Sequence, residues 1–174
     1  TLGANTSGAN NTAFGHASLT ANTTASNNTA VGSAALGANT TGTAGTAVGK
    51  GALAANTTGN HNVSIGEDAL AANVTAHRAT AVGYQALKAS NVSGNSNSAN
   101  TAVGFQAGTA MTTGLANTLV GALAGDALTT GSSNVAVGYG ALTTDDVGQW
   151  NVAIGRDALA SQNIASAANT YNTA

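Results

Sequence analysis

Apolar and polar positions along this chain follow neither the 3.6-residue period of a surface helix nor a long strict alternation. A five-residue block, Asn-Thr-Ala-Val-Gly with small variations, recurs instead, and its first position falls at 11, 28, 45, 62, 79, 100, 117, 134, 151 and 172. The spacing is 17 residues, with two intervals of 21. The fullest statement of the unit is Asn28–Ala44, N-T-A-V-G-x-x-A-L-x-x-N-T-T-G-x-x. Its fifth position is glycine in every complete copy: Gly15, Gly32, Gly49, Gly66, Gly83, Gly104, Gly121, Gly138 and Gly155. The residue before it is always a large apolar one: Phe14, Val31, Val48, Ile65, Val82, Val103, Val120, Val137 or Ile154.

Within the unit, Thr-Ala-Val reads as a short strand, with β-branched Thr and Val on one face and small Ala on the other. The glycine after it supplies a positive φ or a close backbone approach, which ends the strand and turns the chain. A second short strand is expected around Ala-Leu, followed by a turn at Asn-Thr-Thr-Gly. Both long intervals carry their four extra residues after the Ala-Leu pair, within Lys88–Ala99 and Ala160–Tyr171. Stacked repeats accept insertions at turns, so this part of the unit is a turn region and Asn-Thr-Ala-Val-Gly is not. The period predicts an all-β chain, a repetitive β-solenoid or β-roll forming a single array over residues 1–174. Its coils would stack with parallel strands about 4.8 Å apart. The array begins at the eighth position of a coil and stops three residues into another, without an initiator Met or signal peptide. It therefore reads as a fragment of a longer fibre.

Stacking turns each repeat position into a column. Asn22, Asn39, Asn56 and Asn73 hold one position over four coils, beside Thr24, Thr41, Thr58 and Thr75. Such a ladder pairs side-chain amides along the axis and satisfies the backbone of the turn. A second, interrupted asparagine column occupies the first position of the unit: Asn11, Asn28, Asn62, Asn100, Asn117, Asn134 and Asn151. Regularity weakens over 107–128, where Gly108 and Gly125 stand in place of Leu and Ala127-Leu128 comes three residues late. The local register is open there.

Composition changes the picture in one respect. Ala, Thr, Gly and Asn dominate the chain, charged residues make up 6%, aromatic ones 3%, and Pro and Cys are absent. Most of the hydrophobic fraction of 43% is Ala, which buries little area per side chain. With one Val and one Leu per coil expected inside, a coil this thin has a meagre core of its own. Association of chains around a common axis would supply the missing burial, and small residues allow backbones to approach closely. The fold expected is thus a solenoid intertwined or packed with other copies of the chain, its partner being itself.

Several functions are disfavoured. A net charge of −2 with four Lys+Arg gives no basic surface for nucleic acid. No run of about 18 apolar residues is present for membrane insertion. The acids Glu67, Asp68, Asp126, Asp145, Asp146 and Asp157 form no convergent pair, and an enzyme is not expected. His16, His61 and His77 occupy different repeat positions and read as solvated surface residues, so neither a metal site nor a cofactor is expected. Gly138-Tyr139-Gly140 has no helix after it and is no nucleotide loop. The position after the strand glycine varies from coil to coil, which marks it as solvent-facing: His16, Ser33, Lys50, Glu67, Tyr84, Phe105, Ala122, Tyr139 and Arg156. Tyr84, Phe105 and Tyr139 form an aromatic stripe there that could stack on sugar rings, a candidate glycan contact.

The N-T-A-V-G-x-x-A-L-x-x-N-T-T-G unit resembles the repeats of bacteriophage tail-fibre and related virion-fibre proteins. More loosely, it is similar to the head repeats of trimeric autotransporter adhesins. The resemblance implies a homotrimer of parallel β-rolls, an elongated rigid shaft and a role in host attachment, located on the virion as a tail or capsid fibre. Two alternatives remain at this level. One is an extracellular adhesin on a bacterial surface whose repeats bind glycan, matrix or another receptor. The other is an ice-binding solenoid, which low charge and Thr columns favour and the in-out alternation of Thr-Thr disfavours.

Overall fold

The computed structural model describes residues 1–94, 96–163 and 170–174. The protein is an all-β solenoid. The described residues form nine strands, β1 (Thr12–Phe14), β2 (Thr29–Val31), β3 (Thr46–Val48), β4 (Val63–Ile65), β5 (Thr80–Val82), β6 (Thr101–Val103), β7 (Thr118–Val120), β8 (Val135–Val137) and β9 (Val152–Ile154). They form one parallel sheet in sequence order. The pairing keeps the repeat phase without a slip, from Thr12 opposite Thr29 to Val135 opposite Val152. The four extra residues within Lys88–Ala99 do not disturb it, since Thr80 still lies opposite Thr101. Much of the second insertion falls at 164–169, outside the described residues.

Each coil has a single strand. The second strand expected around Ala-Leu does not form, because Leu19, Leu36, Leu53, Leu70, Leu87, Leu142 and Leu159 all have a φ of +47° to +57°. Left-handed backbone reverses the chain and cannot propagate a strand. What the left-handed turn does is aim these leucines inward, where those from Leu19 to Leu87 and Leu142 are fully buried. Opposite them sits the central residue of each strand, nearly always Ala: Ala30, Ala47, Ala81, Ala102, Ala136 and Ala153 have no exposed surface.

That arrangement overturns the expectation that Val joins Leu in the core. The alternation within Thr-Ala-Val is as expected, but Ala points inward and both β-branched residues point out. Val31, Val48, Val82 and Val137 are only partly covered, and Ile65 is 40% exposed. A small residue faces inward because the coil is narrow and the leucine already spans it.

The irregular 107–128 stretch keeps register, with Thr101 opposite Thr118 and Thr118 opposite Val135. Gly108 (φ +59°) and Gly125 (φ +58°) preserve the left-handed turn that Leu adopts elsewhere. The lost volume returns from other positions. Leu119 replaces the inward strand alanine, and Met111 and Leu128 replace the ladder asparagine, all three fully buried. A Cβ on Gly108 would stand 2.7 Å from Leu119 Cδ1, and one on Gly125 2.9 Å from Leu128 Cδ1. Glycine there and a large neighbour are one packing solution.

The strand glycine is fixed twice over. Gly66 has φ +132°, and a Cβ on it would lie 2.3 Å from the carbonyl oxygen of Gly83 in the next coil. Coils can stack at sheet spacing only if this corner carries no side chain.

Candidate functional site

Two longitudinal features and one lateral column stand out among the described residues. The first is the asparagine ladder, which lies buried inside the coil. Asn39 Nδ2 donates to Asn22 Oδ1 at 3.1 Å and to the Gly42 carbonyl at 2.9 Å. Asn56 Nδ2 donates in turn to Asn39 Oδ1 at 2.9 Å, and Asn73 Nδ2 to Asn56 Oδ1 at 3.0 Å. Each amide closes its own turn and joins the coil before it. Asn5 adds a rung at the start, accepting from Asn22 Nδ2 at 2.7 Å. Of Thr24, Thr41, Thr58 and Thr75, Thr75 donates along the axis, to the Val92 carbonyl at 3.4 Å, and hydroxyls of the neighbouring position do so too: Thr23 and Thr40 donate to the carbonyls of Thr40 and Thr57. Thr24 and Thr41 are exposed.

The first-position column works differently. Asn28 Nδ2 donates to the Gly42 carbonyl at 2.9 Å, while Asn28 Oδ1 accepts the Gly45 backbone N–H at 2.8 Å. Asn100, Asn117 and Asn134 repeat the pattern. Two residues not recognised from the sequence as rungs take similar roles. Asp145 stands at the ladder position, fully buried, and accepts from Gly148 N–H at 3.0 Å and Gln162 Nε2 at 2.8 Å. His77, expected on the solvated surface, is half-buried, and its Nδ1 accepts the Asn60 backbone N–H at 2.8 Å. Their phase in the repeat was the available signal, because each shares its position with neighbours that hydrogen-bond along the stack.

The second feature is the outer face of the sheet. Thr12, Thr29, Thr46, Thr80, Thr101 and Thr118 run along one side of it, and the Val, Ile and Phe residues before the strand glycines along the other. Phe14 is 74% exposed, Ile154 60%, Val103 37% and Val120 36%. The strands contain no charged residue. The result is an uncharged apolar face running the length of the stack.

The lateral column is the variable position after the strand glycine, and it faces solvent as expected, Ala122 being half-buried. Its members contact one another along the axis. Lys50 Nζ lies 3.0 Å from Glu67 Oε1, and this hydrogen-bonded partner holds the lysine above its ordinary pKa. The Tyr84 and Phe105 rings stack, with centroids 5.5 Å apart and planes at 13°. Arg156 places its guanidinium carbon 5.4 Å from the centre of the Tyr139 ring. A separate pair, Trp150 and Tyr171, stacks at 5.0 Å on a neighbouring turn.

The adjacent acids Glu67 and Asp68 point apart: the first pairs with Lys50 of the preceding coil, the second with Lys88 of the following one at 3.3 Å. Asp126 is partly buried, and burial raises its carboxyl above the usual carboxylate range. The described residues contain no cluster of three His, Cys, Asp or Glu able to hold a metal ion, and no helix long and apolar enough to cross a membrane. No family model, curated protein or solved structure matches the chain.

Proposed function

We propose that the chain is a shaft segment of a trimeric fibre, of the kind that carries a phage tail fibre or a related virion appendage to its host. The observation that supports this most is the outer sheet face. It is uncharged and as long as the array, and its Val, Ile and Phe residues are partly to largely exposed. A face of that kind marks an association surface. Three copies set face to face about a common axis would bury the Val, Ile and Phe column, providing the burial that a narrow Ala–Leu coil lacks. The role is mechanical, with no catalytic step, and the chain's principal partner is itself.

Sedimentation equilibrium and light scattering test the assembly. The expected result is an elongated particle of three chain masses, each chain being 16.5 kDa. Val48→Glu combined with Val103→Glu should yield folded monomers, since both side chains point away from the coil's own core. A compact monomer from the unsubstituted chain would sink the proposal. Mass spectrometry of purified virions against outer-membrane fractions separates the virion fibre from the bacterial surface adhesin.

Ice binding remains a second reading because of one observation. The outward Thr and Val columns form a regular two-row face on a single parallel sheet. The two readings are exclusive, because a face buried in a trimer cannot touch ice. Thermal hysteresis from a monomer would select the second.

A further inference from the structure

The lateral column is a ladder with one rung missing. From Lys50 to Arg156, successive members pair as an ion pair, a ring stack and a cation over a ring, whereas Ala122 offers only a methyl group between Phe105 and Tyr139. Tyr84, from the coil before, covers one face of Phe105. Arg156, from the coil after, covers one face of Tyr139. The two faces left uncovered therefore look toward each other across Ala122. Phe105 and Tyr139 are each about half exposed, so the space between them opens to solvent.

Its width selects an occupant. Two coil rises set the two side-chain positions about 9.6 Å apart along the axis. A flat aromatic group sandwiched at van der Waals contact needs only about 7–8 Å, which leaves it loose. A puckered, saturated ring is thicker and presents C–H groups on both faces to the electron-rich ring faces. Arg156, which covers the far face of Tyr139, is already engaged with Asp157 at 3.2 Å. Nothing in the slot calls for a charged ligand.

We propose that the Phe105–Ala122–Tyr139 slot binds one neutral hexopyranose residue of a polysaccharide, held between two aromatic faces. This goes beyond the shaft reading and does not depend on it: the slot lies within one chain and places a lateral contact on the fibre wall. Tyr84 acts as a positioning residue, fixing the Phe105 ring by stacking.

Saturation-transfer NMR and calorimetry with maltohexaose, cellohexaose and chitohexaose test the slot, with sedimentation run on the same samples to report assembly separately. At least one sugar should receive saturation from the aromatic protons. Phe105→Ala and Tyr139→Ala should each weaken binding about tenfold. Ala122→Phe should abolish it with the circular dichroism unchanged, because it fills the slot with the ring the column lacks. Glu67→Gln should leave binding unchanged. Failure of all three sugars to bind, or binding that survives Ala122→Phe, would overturn the proposal. So would displacement of the sugar by indole at lower concentration, since that result assigns the slot to a flat aromatic ligand.

Discussion

At the residue scale, the same residue type has different consequences according to what stacks above it. Gly66 and Gly94 both have a positive φ, +132° and +81°, yet a Cβ would stand 2.3 Å from the Gly83 carbonyl oxygen at Gly66 and would meet Ser96 Oγ only at 3.8 Å at Gly94. Gly66→Ala is therefore expected to unfold or misstack the array. Gly94→Ala should lower stability by only the backbone strain, about 1–3 kcal/mol; urea midpoints distinguish them. Asn39→Ala strips the Asn22 oxygen, the Gly42 carbonyl and the Asn56 amide of a partner at once. A cost of about 2–4 kcal/mol is expected, well above that of an exposed Thr41→Ala. Asp126 adds a pH dependence of defined sign. Burial raises its folded pKa, so its contribution favours folding below the unfolded carboxyl value and is lost as pH rises through the folded one. Asp126→Asn should flatten that part of the profile between acid and neutral pH and raise the melting temperature at pH 7.

At the scale of the coil, the strand and the leucine turn share one fixed internal volume. The Gly108–Met111 and Gly125–Leu128 coils show that a large residue can move from the turn to the ladder position if glycine takes its place. The double variant Leu36→Gly/Asn39→Leu imitates that exchange. Leu36→Gly alone should cost about 3–5 kcal/mol through the cavity it leaves, and Asn39→Leu alone should overpack against Leu36. The pair should be less destabilised than the sum of the two by more than about 1 kcal/mol, read as the coupling energy of a double-mutant cycle. The repeat made the coil boundaries, the strand and the asparagine rungs legible, because each depends on local residue type in a fixed phase. The single strand per coil was not legible. Leucine gives no sign in sequence of a left-handed backbone, which it adopts here because the turn must aim its side chain inward.

At the scale of the molecule, each strand bonds only to the one before and the one after. Stability should then be close to a sum of coils and their interfaces. Deleting residues 28–44, one whole period, should leave a folded chain with the same circular dichroism per residue and a lower urea midpoint. Deleting 28–39 breaks the phase and should give an aggregated product. The proposed trimer belongs to this scale too, because its surface exists only once nine strands align their outer residues.

The sequence by itself determined that the chain is a stacked all-β array, where each coil begins, that the loop within Lys88–Ala99 absorbs extra residues and which asparagines form columns. These follow from a period that any stacked arrangement must respect. The tertiary structure decided which face of Thr-Ala-Val is inside, how the stretch from Gly108 to Leu128 keeps register, and that His77 and Asp145 are rungs. Alternation says only that Thr and Val share a side. A coil too narrow for both Val and Leu sends Val outward, and that inversion moves the expected core residue to the outer face of the sheet.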